Sequence, residues 1–208
     1  MPKKESPLTA LSSFLPEGSF AGVEKYLLQY KVHITITRER QTILGNYRNR
    51  LQDKNHRITV NGNLNSYSFL ITLLHELAHL LAYEKFGHRI AAHGKQWKAE
   101  FGSILKEFIP QKIFPQDLER LLLQSLHNPA ASSCSDPHLT RALKNYDIKK
   151  EGHYFVEDLP PGSLFTIKSG AVFKKGERVR KRFRCEEVAT KKIYLFSPVY
   201  EVAFLSST

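Results

Sequence analysis

Two histidines stand four residues apart, His75 and His79, with Glu76 beside the first. On an α-helix that spacing puts both imidazoles one above the other on the same face, where they can reach a single ion. A zinc site for hydrolysis needs three protein ligands and an open position for water. A carboxylate next to the first ligand, here Glu76, is placed to take a proton from that water. The neighbours Leu73, Leu74, Leu77, Ala78 and Leu80 are all uncharged, as a buried site helix requires. If the pattern were only two core histidines and a surface glutamate, three polar groups on an apolar helix would each need a partner.

The third ligand must come from further along the chain. A longer pattern, with Gly at 82 and His at 85, is not met, because Ala82 and Lys85 stand there. His93 is followed by Gly94 and an apparent helix containing Trp97, and a histidine just before a helix that packs back can point at the ion. His88 sits at the turn after the first helix and is read as facing solvent. Glu100 and Glu107 are the carboxylate alternatives.

The elements that must position these groups can be read from periodicity. Phe20, Val23, Tyr26, Leu27 and Tyr30 have helical spacing, within 18–30. Residues 32–37 alternate and are β-branched, which predicts a strand, with further strands at 42–47, bent at Gly45, and at 56–60. Asn65 or Ser66 caps a helix over about 67–86, apolar nearly all round and therefore central, that stops at Gly87. Helices over 94–108 and 115–126 follow, then a small polar stretch, 127–135, and a short helix from Asp136-Pro137 to Tyr146. Beyond Gly162, short strands at 164–168, 171–174, 179–185, 193–196 and 200–204 predict an all-β module. The expected domains are thus a metal-binding domain at 1–130, a linker with a short helix at 131–161, and a basic β module at 162–208.

The chain of 208 residues carries a formal charge of +11, which favours polyanions as partners, nucleic acid first. The surplus is densest at 174–184, where Lys174, Lys175, Arg178, Arg180, Lys181, Arg182 and Arg184 face one acid, Glu177. In a continuous strand Arg178, Arg180, Arg182 and Arg184 would share one face and could track phosphates. Phe173, Phe183, Tyr194 and Phe196 are candidate stacking partners for bases; a solvated edge strand protected by its charge is the alternative. No export signal is seen near the start, so Cys134 and Cys185 are expected as free thiols in a reducing cytoplasm. No stretch has the length of a membrane span, so no membrane partner is expected.

The run His75-Glu76-Leu77-Ala78-His79-Leu80-Leu81, then Phe86-Gly87, then His93-Gly94-Lys95-Gln96-Trp97-Lys98 resembles the SprT-like family of zincins, which includes the Spartan proteases that degrade proteins crosslinked to DNA. Leu44-Gly45-Asn46-Tyr47-Arg48 and Ile58-Thr59-Val60-Asn61 are similar to its strands, so that the likeness covers about 18–110. The resemblance implies an α+β fold with a zincin-like core. It assigns one zinc ion to His75, His79 and His93 and catalysis to Glu76. Bacterial members end in a four-cysteine zinc ribbon. Here Lys181 to Val188 is similar to one knuckle of it, with Val188 where the second cysteine would be, and no Cys-x-x-Cys occurs in the chain. The β module is therefore expected to resemble a ribbon without its metal.

Together these readings predict a cytoplasmic zinc-dependent metallopeptidase acting on proteins associated with nucleic acid, DNA-crosslinked proteins among them. The rival is a nucleic-acid-binding protein attached to transcription or repair, whose zinc site is structural or nearly idle. An intact Glu76 argues against the rival, since a structural site has no use for a base.

Overall fold

The computed structural model describes residues 6–40, 43–50, 55–126, 136–148 and 151–206. It is α+β, and the chain divides into two compact units, Met1–Asp147 and Ile148–Thr208. Among the described residues no helix is long and apolar enough to cross a membrane.

In the first unit, α1 (Phe20–Gln29) leads into β1 (Val32–Thr37), followed by β2 (Gly45–Arg48), β3 (His56–Asn61), α2 (Ser66–Phe86), α3 (Lys95–Phe108), α4 (Gln116–Ser125) and α5 (Pro137–Lys144). The sheet has the order β1-β3-β2, with β1 parallel and β2 antiparallel to β3. Strand alternation sends Ile58 and Val60 inward, where both are fully buried, while Arg57 points to solvent. The inner face packs against α2. The expectation that α2 is central holds, since Phe69, Leu70, Leu73, Leu74, Leu77, Ala78 and Leu80 are all inaccessible to solvent. Asn65 caps it, its side chain accepting from the Ser68 N–H at 2.9 Å. Gly87 ends it at φ +71, a left-handed conformation that glycine adopts without steric cost.

The domain limits differ from the sequence expectation. The short helix placed in a linker, α5, belongs to the first unit: Leu139 and Leu143 are buried in the same apolar cluster as α2. Asn65 donates to Leu143 O at 3.0 Å and to Asp147, and Tyr146 donates to Asp117 at 2.7 Å. The boundary therefore falls at Asp147, not 130, because an amphipathic helix must bury its apolar stripe and here does so on its own side of the chain. The polar stretch 127–135, with Cys134, lies outside the described residues.

The second unit is a six-stranded antiparallel sheet in the order β4-β9-β5-β6-β7-β8. Its strands are β4 (His153–Phe155), β5 (Leu164–Thr166), β6 (Val172–Val179), β7 (Arg182–Glu187), β8 (Ile193–Phe196) and β9 (Glu201–Ser206). It begins before Gly162, because β4 pairs with β9. Its core holds Val156, Phe165, Phe173, Cys185 and Val202. Cys185 is a free thiol, pushed up in pKa by burial. Lys175 is also buried; its ammonium donates to the carbonyls of Glu157 and Leu159 and lies 4.3 Å from the ring centre of Phe183.

Candidate metal centre

His75 and His79 project from one face of α2, one turn apart. His93 comes from the turn before α3, and the three Nε2 atoms meet at 3.2 Å (75–79), 3.1 Å (79–93) and 3.2 Å (75–93). Tetrahedral ligands held about 2.05 Å from a zinc ion stand about 3.3 Å apart, so this triangle fits such an ion. The donor set agrees. Burial first, then mutual repulsion, lowers the pKa of His75 to about 3; burial, then His93, lowers that of His79 to about 4; burial lowers that of His93. All three rings are therefore neutral near pH 7, the form that binds metal. Among the described residues they are the one cluster of three side chains able to hold a metal.

The floor under the imidazoles is Trp97, one turn after His93 on α3 and inaccessible to solvent. Its ring centre lies 4.6 Å from His75, 5.4 Å from His79 and 4.8 Å from His93, and Phe101 stacks on it at 5.1 Å. The carboxylate alternatives are engaged elsewhere. Glu100 binds Lys85 at 2.7 and 2.9 Å, tying α3 to α2, and Glu107 accepts from Tyr26 at 2.5 Å. His88 is exposed, as expected.

Glu76 is 6% exposed and turned toward β2. Burial raises its pKa to about 8, opposed by the Tyr47 backbone N–H, which donates to the carboxylate, and by the nearby Arg40 guanidinium. Arg40 is itself held by Asn61 at 2.7 Å and Thr59 at 3.0 Å. Sequence reasoning missed Tyr47, Arg40 and Gly45 as parts of this site. A Cβ on Gly45 would lie 2.7 Å from Glu76 Oε1 and 2.7 Å from Thr72 Cγ2, so only glycine lets the carboxylate approach the strand. The available signal was a glycine inside a strand pattern, which marks close approach as often as a bend.

The basic run of the second unit is arranged differently from the single strand expected. It is split by a two-residue hairpin turn at Arg180-Lys181, with Arg180 at φ +55. Arg178 pairs with Phe183 and Val179 with Arg182, so opposite residues place Arg178 on one face and Arg182 with Arg184 on the other. The four arginines therefore do not share a face, although all are exposed. Of the proposed stacking rings, Phe173 and Phe196 are in the core, whereas Tyr194 is 43% exposed.

Comparison with known proteins bears on the first unit. Residues 19–114 match the SprT-like family. This part of the chain is a SprT-like domain. The chain is 35% identical over 94 residues to Protein SprT of Escherichia coli O157:H7, covering 43% of this chain and 53% of that protein. It is 35% identical over 83 residues to Protein SprT of Pectobacterium carotovorum subsp. carotovorum (strain PC1), covering 38% and 45%. The chain thus spans about half the length of the curated relatives it matches. No solved structure matches the chain. All three histidines, Glu76, Gly45 and Tyr47 lie inside the SprT-like domain.

Proposed function

We propose that the chain is a zinc metallopeptidase with a zincin-like core, in which His75, His79 and His93 hold the ion and Glu76 is the general base. The observation that carries this reading is the convergence of three neutral Nε2 atoms at 3.1–3.2 Å on a helix that also carries a buried carboxylate. A zinc ion bound there would supply Lewis acidity toward a peptide carbonyl and toward water. The chain's own residues supply the rest. Trp97 fixes the imidazoles from below. The Tyr47 N–H orients the Glu76 carboxylate and favours its charged form, in which it can accept a proton from water and return it to the leaving amine. A divalent cation held by the three histidines would act in the same direction.

The proposed substrates are proteins associated with nucleic acid in the cytoplasm, DNA-crosslinked proteins among them. The exposed Arg178, Arg180, Arg182 and Arg184 are proposed to contact the nucleic acid, and the second unit is read as standing in the place of a zinc ribbon, without its metal. The test is Glu76→Gln in a casein and autocleavage assay with and without DNA and chelator. The variant should keep zinc and fold but lose cleavage. If it cuts as the parent does, the reading is wrong; if neither cuts while both hold zinc, the structural-zinc alternative gains.

A further inference from the structure

We propose that the open edge of β8 is a docking site for an extended, acidic segment of a partner protein, which would add to the sheet of the second unit as a further strand. β8 stands at the end of that sheet, and among the described residues only β7 pairs with it. At the hairpin between the two, the Glu187 N–H donates to Lys192 O at 2.9 Å. Antiparallel bonding alternates along a strand. Lys192, Tyr194 and Phe196 therefore turn their backbone groups to β7, and Ile193 and Leu195 turn theirs outward. Each of these two offers an N–H and a C=O to an incoming strand.

Such an edge is a template for another polypeptide, because only a peptide backbone repeats donor and acceptor at the spacing of the ladder. Edges that must stay unpaired are blunted by an inward charge, a proline or a bulge. β8 has none of these from Ile193 to Phe196, and its pairing with β7 runs without a register shift. Ile193, Tyr194 and Leu195 are 46%, 43% and 52% exposed. Tyr194 carries the core toward the edge: its ring meets Phe173 edge-on at 5.3 Å, and Phe173 in turn packs on Phe196. An apolar residue opposite Tyr194 would close the core there. Ile193 and Leu195 stand on the other face, so an incoming strand would find apolar neighbours on both sides.

Charge decides between a second copy of this chain and another protein. The β7–β8 hairpin carries Lys181, Arg182, Arg184, Lys191 and Lys192 against Glu186 and Glu187. Glu186 is already engaged by Lys191 at 3.2 Å, and Glu187 accepts from Thr190. Lys191 and Lys192 stand just before β8, and Arg182 lies near its far end, next to the pair Phe183 and Phe196. A second copy would set this surplus against itself. A strand with carboxylates at both ends would meet a cation at each. Docking needs neither the metal nor cleavage, so it stands or falls apart from the peptidase reading.

The test is fluorescence anisotropy of a labelled peptide, Asp-Glu-Val-Ile-Val-Glu-Asp, with the full chain carrying Glu76→Gln, so that no probe is cut. The peptide should bind with micromolar affinity. The same peptide N-methylated through its Val-Ile-Val centre keeps its charge and apolar content but cannot donate to the ladder, and should bind at least about tenfold more weakly. Lysine in place of its acids should abolish binding. Leu195→Pro removes an outward N–H that the sheet itself does not use, at an edge position where proline is tolerated, and should weaken binding about tenfold with the fold retained by circular dichroism. Lys191→Gln/Lys192→Gln leaves every backbone group in place and should weaken it about threefold. The proposal is overturned if the chain binds no peptide, or if the folded variants keep the affinity of their parent. It is also overturned if the N-methylated peptide binds as well, since charge alone would then hold it, as it would any polyanion. Sedimentation velocity tests the second copy: a dimer that Leu195→Pro dissociates would assign the edge to self-pairing and overturn the proposal too.

Discussion

Gly45 and Glu76 are in contact across the boundary between β2 and α2: the glycine has no side chain, and the carboxylate fills the space that one would take. A methyl group at position 45 would meet both Glu76 and Thr72 at 2.7 Å. Gly45→Ala should therefore move the carboxylate or lift β2, costing about 1–3 kcal/mol of stability. Peptidase activity should fall about a hundredfold, since a displacement near 1 Å can cost that much, while zinc content stays at the parental level. Gly87→Ala is the control. It strains a helix end at φ +71 but has open space around it, so stability should drop with activity per folded molecule unchanged. Kinetics and elemental analysis on both variants decide the matter; equal activity in Gly45→Ala and parent would show that the close approach is not needed.

The third ligand can be tested by metal content. His93→Ala should lose zinc and activity, and His88→Ala should keep both, because His88 is exposed and His93 completes the triangle of Nε2 atoms. Free zinc at a hundred times its dissociation constant should stabilise the parent by about 2.7 kcal/mol, and chelator should remove that gain. His93→Ala should show no such gain in thermal unfolding. Zinc retained in His93→Ala and lost in His88→Ala would reverse the assignment.

His56 provides a pH dependence. Its ring is 2% exposed, its Nδ1 lies 2.9 Å from the Tyr47 hydroxyl, and its Nε2 lies 3.3 Å from Glu84 Oε1 without hydrogen-bond alignment. Tyr83 packs against its edge, and Arg50 faces it beside Glu84. Burial lowers its pKa, Glu84 opposes the shift and Arg50 adds to it. The folded state thus holds a neutral ring where the unfolded chain, with a pKa near 6.5, already binds a proton. The resulting stability is complete above about pH 6.5 and is lost as pH falls through the lowered folded value, by at most about 1.4 kcal/mol per pH unit. Urea unfolding of the parent and of His56→Gln between pH 5 and 7 should show a shallower slope in the variant. Parallel slopes would mean that His56 does not couple folding to protons.

Features fixed by local spacing were legible in the sequence. The face of α2, its Asn65 cap and its Gly87 stop follow from periodicity and short-range signals, whereas His93 was set apart from His88, Glu100 and Glu107 by the family resemblance. Contacts between distant segments were not. The Tyr47 N–H that holds Glu76 lies on a strand whose pairing no local pattern specifies. The hairpin at Arg180-Lys181 was hidden because neither residue carries the usual Gly, Asn or Asp turn chemistry, so seven positive charges read as one strand. Pattern alone placed α5 as a helix, but its destination depends on where Leu139 and Leu143 find apolar partners. At three residues, β4 is too short for alternation to show.

The Asn65 side chain serves two distant parts of the first unit. Its oxygen caps the helix that carries His75 and His79, and its nitrogen holds the carbonyl of Leu143 in α5. The opening turn of the helix that carries His75 and His79 is thus fastened to a segment almost eighty positions downstream. A gene fragment ending at Leu126, short of α5, would leave that amide and the pocket for Leu139 and Leu143 open to water. A recombinant fragment meant to behave like the full chain should instead run through Asp147, the residue on which the unit closes.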